Sequence, residues 1–153
     1  MEQPEYWANS ADSKTWDEVS EGDQLPELKY PITTKTLIAG VAGTRDFMPY
    51  HHDSHYVKNF TAGRDMFINT MHHLALMGRF ATDWSGPDSD IRRMTLQMLV
   101  PVCPGDVVTV EGKVTRKYRD GDDFRVDVEV LENIDLGVSA RSAAKLEGFP
   151  DVR

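Results

Sequence analysis

A single cysteine, Cys103, stands in this chain of 153 residues. One thiol cannot close an internal disulfide, and without a Cys-x-x-Cys pair it offers no thiolate cage for a metal. Between Val102 and Pro104 it reads as small apolar filler. Missing too are apolar runs of the roughly 20 residues that a membrane helix needs. The N-terminal Met1-Glu2-Gln3-Pro4-Glu5 lacks the apolar core of a signal peptide. The expectation is a soluble, cytoplasmic chain with no membrane partner. Basic residues are in deficit: the net charge is -8 and the pI is about 5.0. That argues against a nucleic-acid partner, which would need a basic stripe. A local Arg or Lys cluster could still hold a phosphate. No His-Glu-x-x-His pattern occurs, and outside the predicted helix the i, i+4 histidine pair is His51 with His55, so no metal is expected.

What is present is ordinary globular composition, 40% hydrophobic and 27% charged, in a length suited to one domain. Residues 1–14 are polar and aperiodic and read as a loose N-terminal arm, ahead of one domain over 15–150. Glu21-Gly22-Asp23 and Leu25-Pro26 read as a turn entering an extended segment, with a short strand over 30–34. Residues 36–42 read as a brief helical turn with Leu37, Ile38 and Val41 on one side. Pro49 disfavours helical geometry at Met48, so 46–53 reads as irregular. The spacing predicts one long helix over 65–81, with Phe67, Met71, Leu74, Gly78 and Ala81 on one face.

The remainder alternates with a period of two. Met94, Leu96, Met98 and Val100 form one row. Val108, Val110, Gly112 and Val114 form a second, after a turn at Pro104-Gly105. Asp120-Gly121 is a hairpin signal. Phe124, Val126, Val128 and Val130 form a third row, and residues 138–146 a last strand. Each predicted strand has one buried and one wetter face. The resulting fold class is α+β: an antiparallel, curved sheet of about five or more strands wrapped around one long central helix.

The chemistry concentrates in one place. All five histidines fall between His51 and His73, and the first follows Asp46-Phe47-Met48-Pro49-Tyr50. A carboxylate and an imidazole five residues apart, across a rigid proline, can hold an acid and a base around one water. Asp46 alone could be a cap or turn residue, and His51 alone a structural histidine. His52 and Asp53 read as structural, His55 as exposed, and His72 and His73 as core or interface residues on the helix.

Asp46-Phe47-Met48-Pro49-Tyr50-His51-His52-Asp53 resembles the Asp-x-Asn-Pro-x-His-x-Asp motif of the MaoC-like branch of the hot-dog fold. That branch contains (R)-specific enoyl-CoA hydratases and acyl dehydratases. Trp16-Asp17-Glu18-Val19, Gly22-Asp23, Leu25-Pro26 and Pro104-Gly105-Asp106 are similar to further parts of it, so the likeness runs over about 16–148. One departure is Met48, where the family usually has an Asn that orders the loop.

The resemblance implies a single hot-dog domain over 15–150 and hydro-lyase activity. The reaction would interconvert a trans-2-enoyl-CoA and the (R)-3-hydroxyacyl-CoA, with Asp46 and His51 as the acid-base pair. Which of the two holds the proton at rest stays open. The backbone N–H of Gly63, or of a near neighbour, is the implied oxyanion donor, at a helix start whose unpaired N–H groups favour negative charge. Met48 and Arg93 complete the implied substrate contacts. No cofactor is expected apart from coenzyme A as part of the substrate. Arg92, Arg93, Arg116, Lys117 and Arg119 are candidates for its phosphates, or else a solvated sheet face. Hot-dog domains pair side by side, so a homodimer, or a heterodimer with another hot-dog subunit, is expected. Met48 leaves room for a non-catalytic subunit that completes a heteromeric hydratase, and a hot-dog thioesterase is a third reading.

Overall fold

The structure, a computed structural model, describes residues 13–135 and 139–147. Five antiparallel strands form one sheet in the order β1-β3-β4-β5-β2. They are β1 (Gln24–Pro31), β2 (Arg93–Gln97), β3 (Val107–Asp120), β4 (Asp123–Asp135) and β5 (Ser139–Glu147). Three helices precede β2: α1 (Thr34–Thr44), α2 (Ser54–Phe60) and α3 (Thr70–Ser85).

The β3–β4 hairpin follows from local sequence. Gly121 takes the left-handed turn position at φ +62°, where a side chain would be strained. The row Val108, Val110, Gly112 and Val114 is buried, facing the same core as Val126, Val128 and Val130 of β4. α3 delivers Leu76, Met77 and Phe80 to that core. Gly112 permits the approach: a Cβ there would stand 2.7 Å from Phe80 Cε1 and 3.0 Å from Leu25 Cδ2.

Several boundaries differ from the sequence expectation. The long helix starts at Thr70, not at residue 65, and ends at Ser85. The backbone ahead of it is recruited by tertiary bonds instead: Phe67 N–H donates to the Tyr50 carbonyl and Ile68 N–H to the Val102 carbonyl. The buried face of α3 is therefore His73, Leu76, Met77, Phe80, Ala81 and Ser85; of the predicted face, Phe67 precedes the helix and Met71 is exposed. The first strand lies at Gln24–Pro31 rather than 30–34. It is an edge strand with its register shift between Leu25 and Leu28, where Pro26 needs no ladder partner. α1 is longer than the predicted turn and buries Leu37 and Val41 but leaves Ile38 exposed. α2 was not predicted; Asp53 caps it by accepting from Tyr56 N–H at 2.9 Å. β2 ends at Gln97, so Met98 and Val100 lie beyond the strand.

Of the arm expected over 1–14, residues 1–12 lie outside the described residues, while Lys14 N–H donates to the Ser85 carbonyl at 2.8 Å. Among the described residues, no helix is long and apolar enough to cross a membrane.

The Gly112 contact is testable. Gly112→Ala should lower unfolding stability by about 1–3 kcal/mol, because Phe80 and Leu25 must shift in a packed core. The denaturation midpoint in urea, at unchanged slope, reports it.

Candidate active site

α1 ends on Arg45, which takes the left-handed conformation at φ 56°. That reversal turns the chain into Asp46. Pro49 then opens a single 3-10 turn over Pro49–His51, closed by His51 N–H donating to the Met48 carbonyl at 3.0 Å. The result brings the two ends of the motif together: His51 Nε2 stands 3.5 Å from Asp46 Oδ2. The imidazole is mostly covered, at 12% side-chain exposure, while the carboxylate is 39% exposed.

The ring's other nitrogen fixes the tautomer. His51 Nδ1 lies 2.8 Å from the Phe67 carbonyl oxygen. A carbonyl only accepts, so Nδ1 carries the proton and Nε2 faces Asp46. The Phe67 ring meets His51 edge-on at 5.1 Å between centroids, bracing the ring. His52 and Asp53 hold the loop and the next helix. His52 Nε2 donates to the Phe47 carbonyl at 2.9 Å, and Asp53 is the α2 cap described above.

Asn69 joins the pieces that flank the pair. Its side chain is buried. Oδ1 accepts from His72 N–H at 2.8 Å, capping α3, and Nδ2 donates to Thr44 Oγ1 at 2.7 Å, holding the last turn of α1. Sequence reading missed Asn69; its signal was an Asn directly ahead of a helix-forming run.

A cleft of about 240 Å³ opens beside His51, walled by Phe67, Thr70, His73, Met98 and Leu99 among others. Its polar groups are few, and one was not anticipated. His73 is buried at the cleft wall with Nδ1 2.6 Å from Glu132 Oε2, and both side chains are almost wholly covered. Glu132 occupies an inward position of β4 otherwise filled by Val126, Val128, Val130 and Ile134. A charged residue in that row was the available signal.

The other anticipated residues are placed differently. Gly63 does not begin the long helix: it lies six residues before the Asn69 cap, and its N–H donates to Thr61 Oγ1 at 3.0 Å. It is glycine for packing, since a Cβ would meet Val57 Cγ1 at 2.6 Å. Met48 is 52% exposed, with no polar side chain to order the loop. Arg93 does not line the cleft; it stands at the opposite end of β2 from Met98, roughly 16 Å along the strand. Arg116, Lys117 and Arg119 lie over the rings of Tyr118, Trp16 and Phe124, at 4.1, 3.8 and 4.2 Å from the centroids. Arg92 lies 3.8 Å from Asp90. Among the described residues no three His, Cys, Asp or Glu side chains gather as a metal-holding group.

No family profile matches the chain. Individual proteins do. The beta subunit of 3-oxo-4,17-pregnadiene-20-carboxyl-CoA hydratase from Mycobacterium tuberculosis is 32% identical over 126 residues, which cover 82% of this chain and 93% of that protein. The chain belongs to the MaoC-like hot-dog family of hydratases and dehydratases. The crystal structure of the ChsH1-ChsH2 complex from Mycobacterium tuberculosis contains a chain that is 30% identical. It superposes with a TM-score of 0.76, covering 87% of this chain and 98% of that one. The R-hydratase PhaJ1 from Pseudomonas aeruginosa, at 24% identity, shares the fold with a TM-score of 0.75, covering 90% of this chain and 86% of that one.

Two outcomes test this geometry. Asn69→Ala removes a cap and the bond to Thr44, and should lower unfolding stability by about 1–3 kcal/mol, read from chemical denaturation. His72 has its pKa lowered, first by burial and then by the neighbouring charge of His73. Its unfolded form binds protons more readily than its folded form, so its contribution is intact above about pH 6.5 and is lost as pH falls below that. The drop in denaturation midpoint between pH 7 and pH 5.5 should be smaller in His72→Asn than in the wild type.

Proposed function

We propose that the chain adds water across the double bond of a trans-2-enoyl thioester, giving the (R)-3-hydroxyacyl thioester, and catalyses the reverse loss of water. Coenzyme A is preferred over an acyl carrier protein as the thiol. The observation that carries the reading is the Asp46–His51 pair, 3.5 Å apart, with Nδ1 of the imidazole committed to the Phe67 carbonyl.

The tautomer limits what the pair can do. Nε2 aims a lone pair at a carboxyl group, so a single proton held between the two groups relieves the repulsion. One water beside the pair supplies the hydroxyl for the β-carbon. One member of the pair takes a proton from that water, and the other delivers the pair's own proton to the α-carbon. The pair ends with one proton, as it began, and water has been added without any other reagent. Both additions come from one side of the alkene, because both groups sit on one side of the cleft.

Negative charge develops on the thioester oxygen during this step. The Gly63 amide is occupied by Thr61, so the donor is assigned to the start of α3. The amides of His72 and His73 bond back to Asn69, which leaves those of Thr70 and Met71 as first-turn donors beside the cleft. The positive end of the helix dipole adds to them. A donor of this kind contributes roughly 3 kcal/mol to the transition state in comparable sites.

A second reading keeps the fold and the ligand but shares the chemistry. Phe47, Met48, Met71, Met98 and Leu99 are exposed apolar side chains in the segments that build the site. The similar chain in the ChsH1-ChsH2 structure belongs to a complex of two proteins. On this reading the protein pairs with a second hot-dog subunit that covers those side chains and completes the acyl site, and Met48 marks a chain whose own turnover is weak.

The test follows loss of the conjugated enoyl-thioester absorbance across short, long and ring-bearing acyl-CoAs, with and without a co-expressed hot-dog partner. Asp46→Asn and His51→Gln should each lower kcat about 10²–10⁴-fold, with folding unchanged by circular dichroism. Equal rates in wild type and Asp46→Asn on every substrate, with the partner present, would reject the assignment of catalysis to this chain.

A further inference from the structure

Glu132 and His73 are the most anomalous residues of the core. Glu132 has no exposed surface and His73 is 2% exposed. Their contact, Nδ1 to Oε2 at 2.6 Å, joins β4 to the fourth residue of α3. Glu132 Oε1 is buried and has no hydrogen-bond partner among the described residues. An uncompensated carboxylate in a row of valines is costly, and such a site keeps its net charge near zero.

Two arrangements satisfy that condition. One is an imidazolium beside a carboxylate. The other is a neutral imidazole that accepts at Nδ1 from a carboxylic acid. In both, the ring carries a proton on Nε2. Nε2 has no hydrogen-bond partner among the described residues, yet it is not among the sealed, unpaired atoms. Nε2 is therefore not fully sealed, and His73 lines the cleft together with His51 and Thr70. The pair thus presents one fixed N–H donor into an apolar cleft, on the side of the α3 start.

We propose that His73 Nε2–H, oriented by Glu132, donates a hydrogen bond to the carbonyl oxygen of the acyl thioester on which Asp46 and His51 act. The inference rests on the thioester reading above and names a side-chain contact for it. The carbonyl carbon is bonded to the α-carbon, so an oxygen in this cleft lies within two bonds of a reacting atom. Glu132 is a positioning residue: it fixes the ring and keeps the proton on Nε2 while water is excluded. A donor held in a dry site strengthens as charge builds on its acceptor, so the contact acts on kcat more than on KM.

The experiment compares binding of butyryl-CoA with that of S-butyl-CoA, a thioether lacking only the carbonyl oxygen, by calorimetry on the full chain with its partner subunit where one is required. Wild type should favour the thioester by about 10-fold or more, the effect of one hydrogen bond to a charged or polarised donor. His73→Leu leaves Glu132 buried alone and risks misfolding. The double variant His73→Leu/Glu132→Leu removes both polar partners and is the main test. Its preference should fall about 10-fold below that of the wild type, any remainder coming from the first-turn amides of α3, while His73→Gln, which retains an N–H donor, should recover part of it. On an enoyl-CoA that wild type turns over, the double variant should lose roughly 10²-fold in kcat with a smaller change in KM.

A folded double variant with undiminished thioester preference and undiminished kcat overturns the inference and leaves the hydratase reading standing. A wild type that turns over no enoyl-CoA, but whose oxygen preference collapses in the double variant, rejects the hydratase reading and upholds the contact.

Discussion

The backbone of one residue, Phe67, organises the candidate site. Phe67 donates its N–H to the Tyr50 carbonyl and accepts His51 Nδ1 on its own carbonyl. The first bond ties the strand-like approach to α3 onto the Pro49–His51 turn, and the second selects the tautomer of the ring. Were either lost, Nε2 would not be held toward Asp46, and the 3.5 Å pair would be two loop side chains with separate lives. With these bonds the approach over 65–69 is non-helical, and α3 starts at Thr70. Its first-turn amides then open beside His51. The His51 ring and the approach to the helix start are thus held by two backbone bonds of one residue.

The sheet contributes in a less obvious way. Alternation along β4 would complete an aliphatic wall, yet Glu132 interrupts it and meets His73. Replacing a buried ion pair with apolar residues is often neutral or stabilising, so core stability alone does not call for this pair. Glu132 Oε1 has no hydrogen-bond partner among the described residues, and the ring that Glu132 meets belongs to a residue lining the cleft, which fits the donor role proposed for it. The two imidazoles wall the same space and are locked by different partners, a carbonyl and a carboxyl group. The first lock leaves Nε2 of His51 as an acceptor; the second makes Nε2 of His73 a donor. In the proposed reaction, an acid-base partner and a donor to the thioester oxygen need those different characters.

How far this could be read from the chain depended on how local the cause was. The β3–β4 hairpin was legible because Gly121 and the Val108–Val114 alternation are local facts. Asp46 and His51 were legible because five residues and a proline suffice to bring them together. The start of α3 was not, because Phe67 continues the i, i+4 pattern of the helix, while its backbone partners His51 and Tyr50 lie sixteen and seventeen residues earlier. The placement of Gly63 at the helix start went with it: Gly63 precedes α3, and Val57 packs where a Cβ would be. Asn69 and Glu132 carried visible signals, a cap residue and a charge in an apolar row. Neither signal names a partner, and Thr44 and His73 stand 25 and 59 positions away.

Met48 sharpens the argument about what a loop needs. The family usually places an amide side chain there, and this chain offers a thioether that faces solvent. The loop is nevertheless closed by bonds that the side chain of residue 48 does not make. His51 N–H reaches the Met48 carbonyl, Asp53 N–H reaches the Pro49 carbonyl, and His52 Nε2 bridges back to the Phe47 carbonyl. The second histidine of the motif thus encloses the segment an asparagine would order, from the opposite side. Order in the pair can be kept while the apolar face around it grows, since Phe47 and Met48 are both turned outward. An exposed Phe-Met pair next to an intact acid-base couple is what a site requires when its remaining wall comes from another surface, and the loop's own bonds leave those two side chains free to meet it.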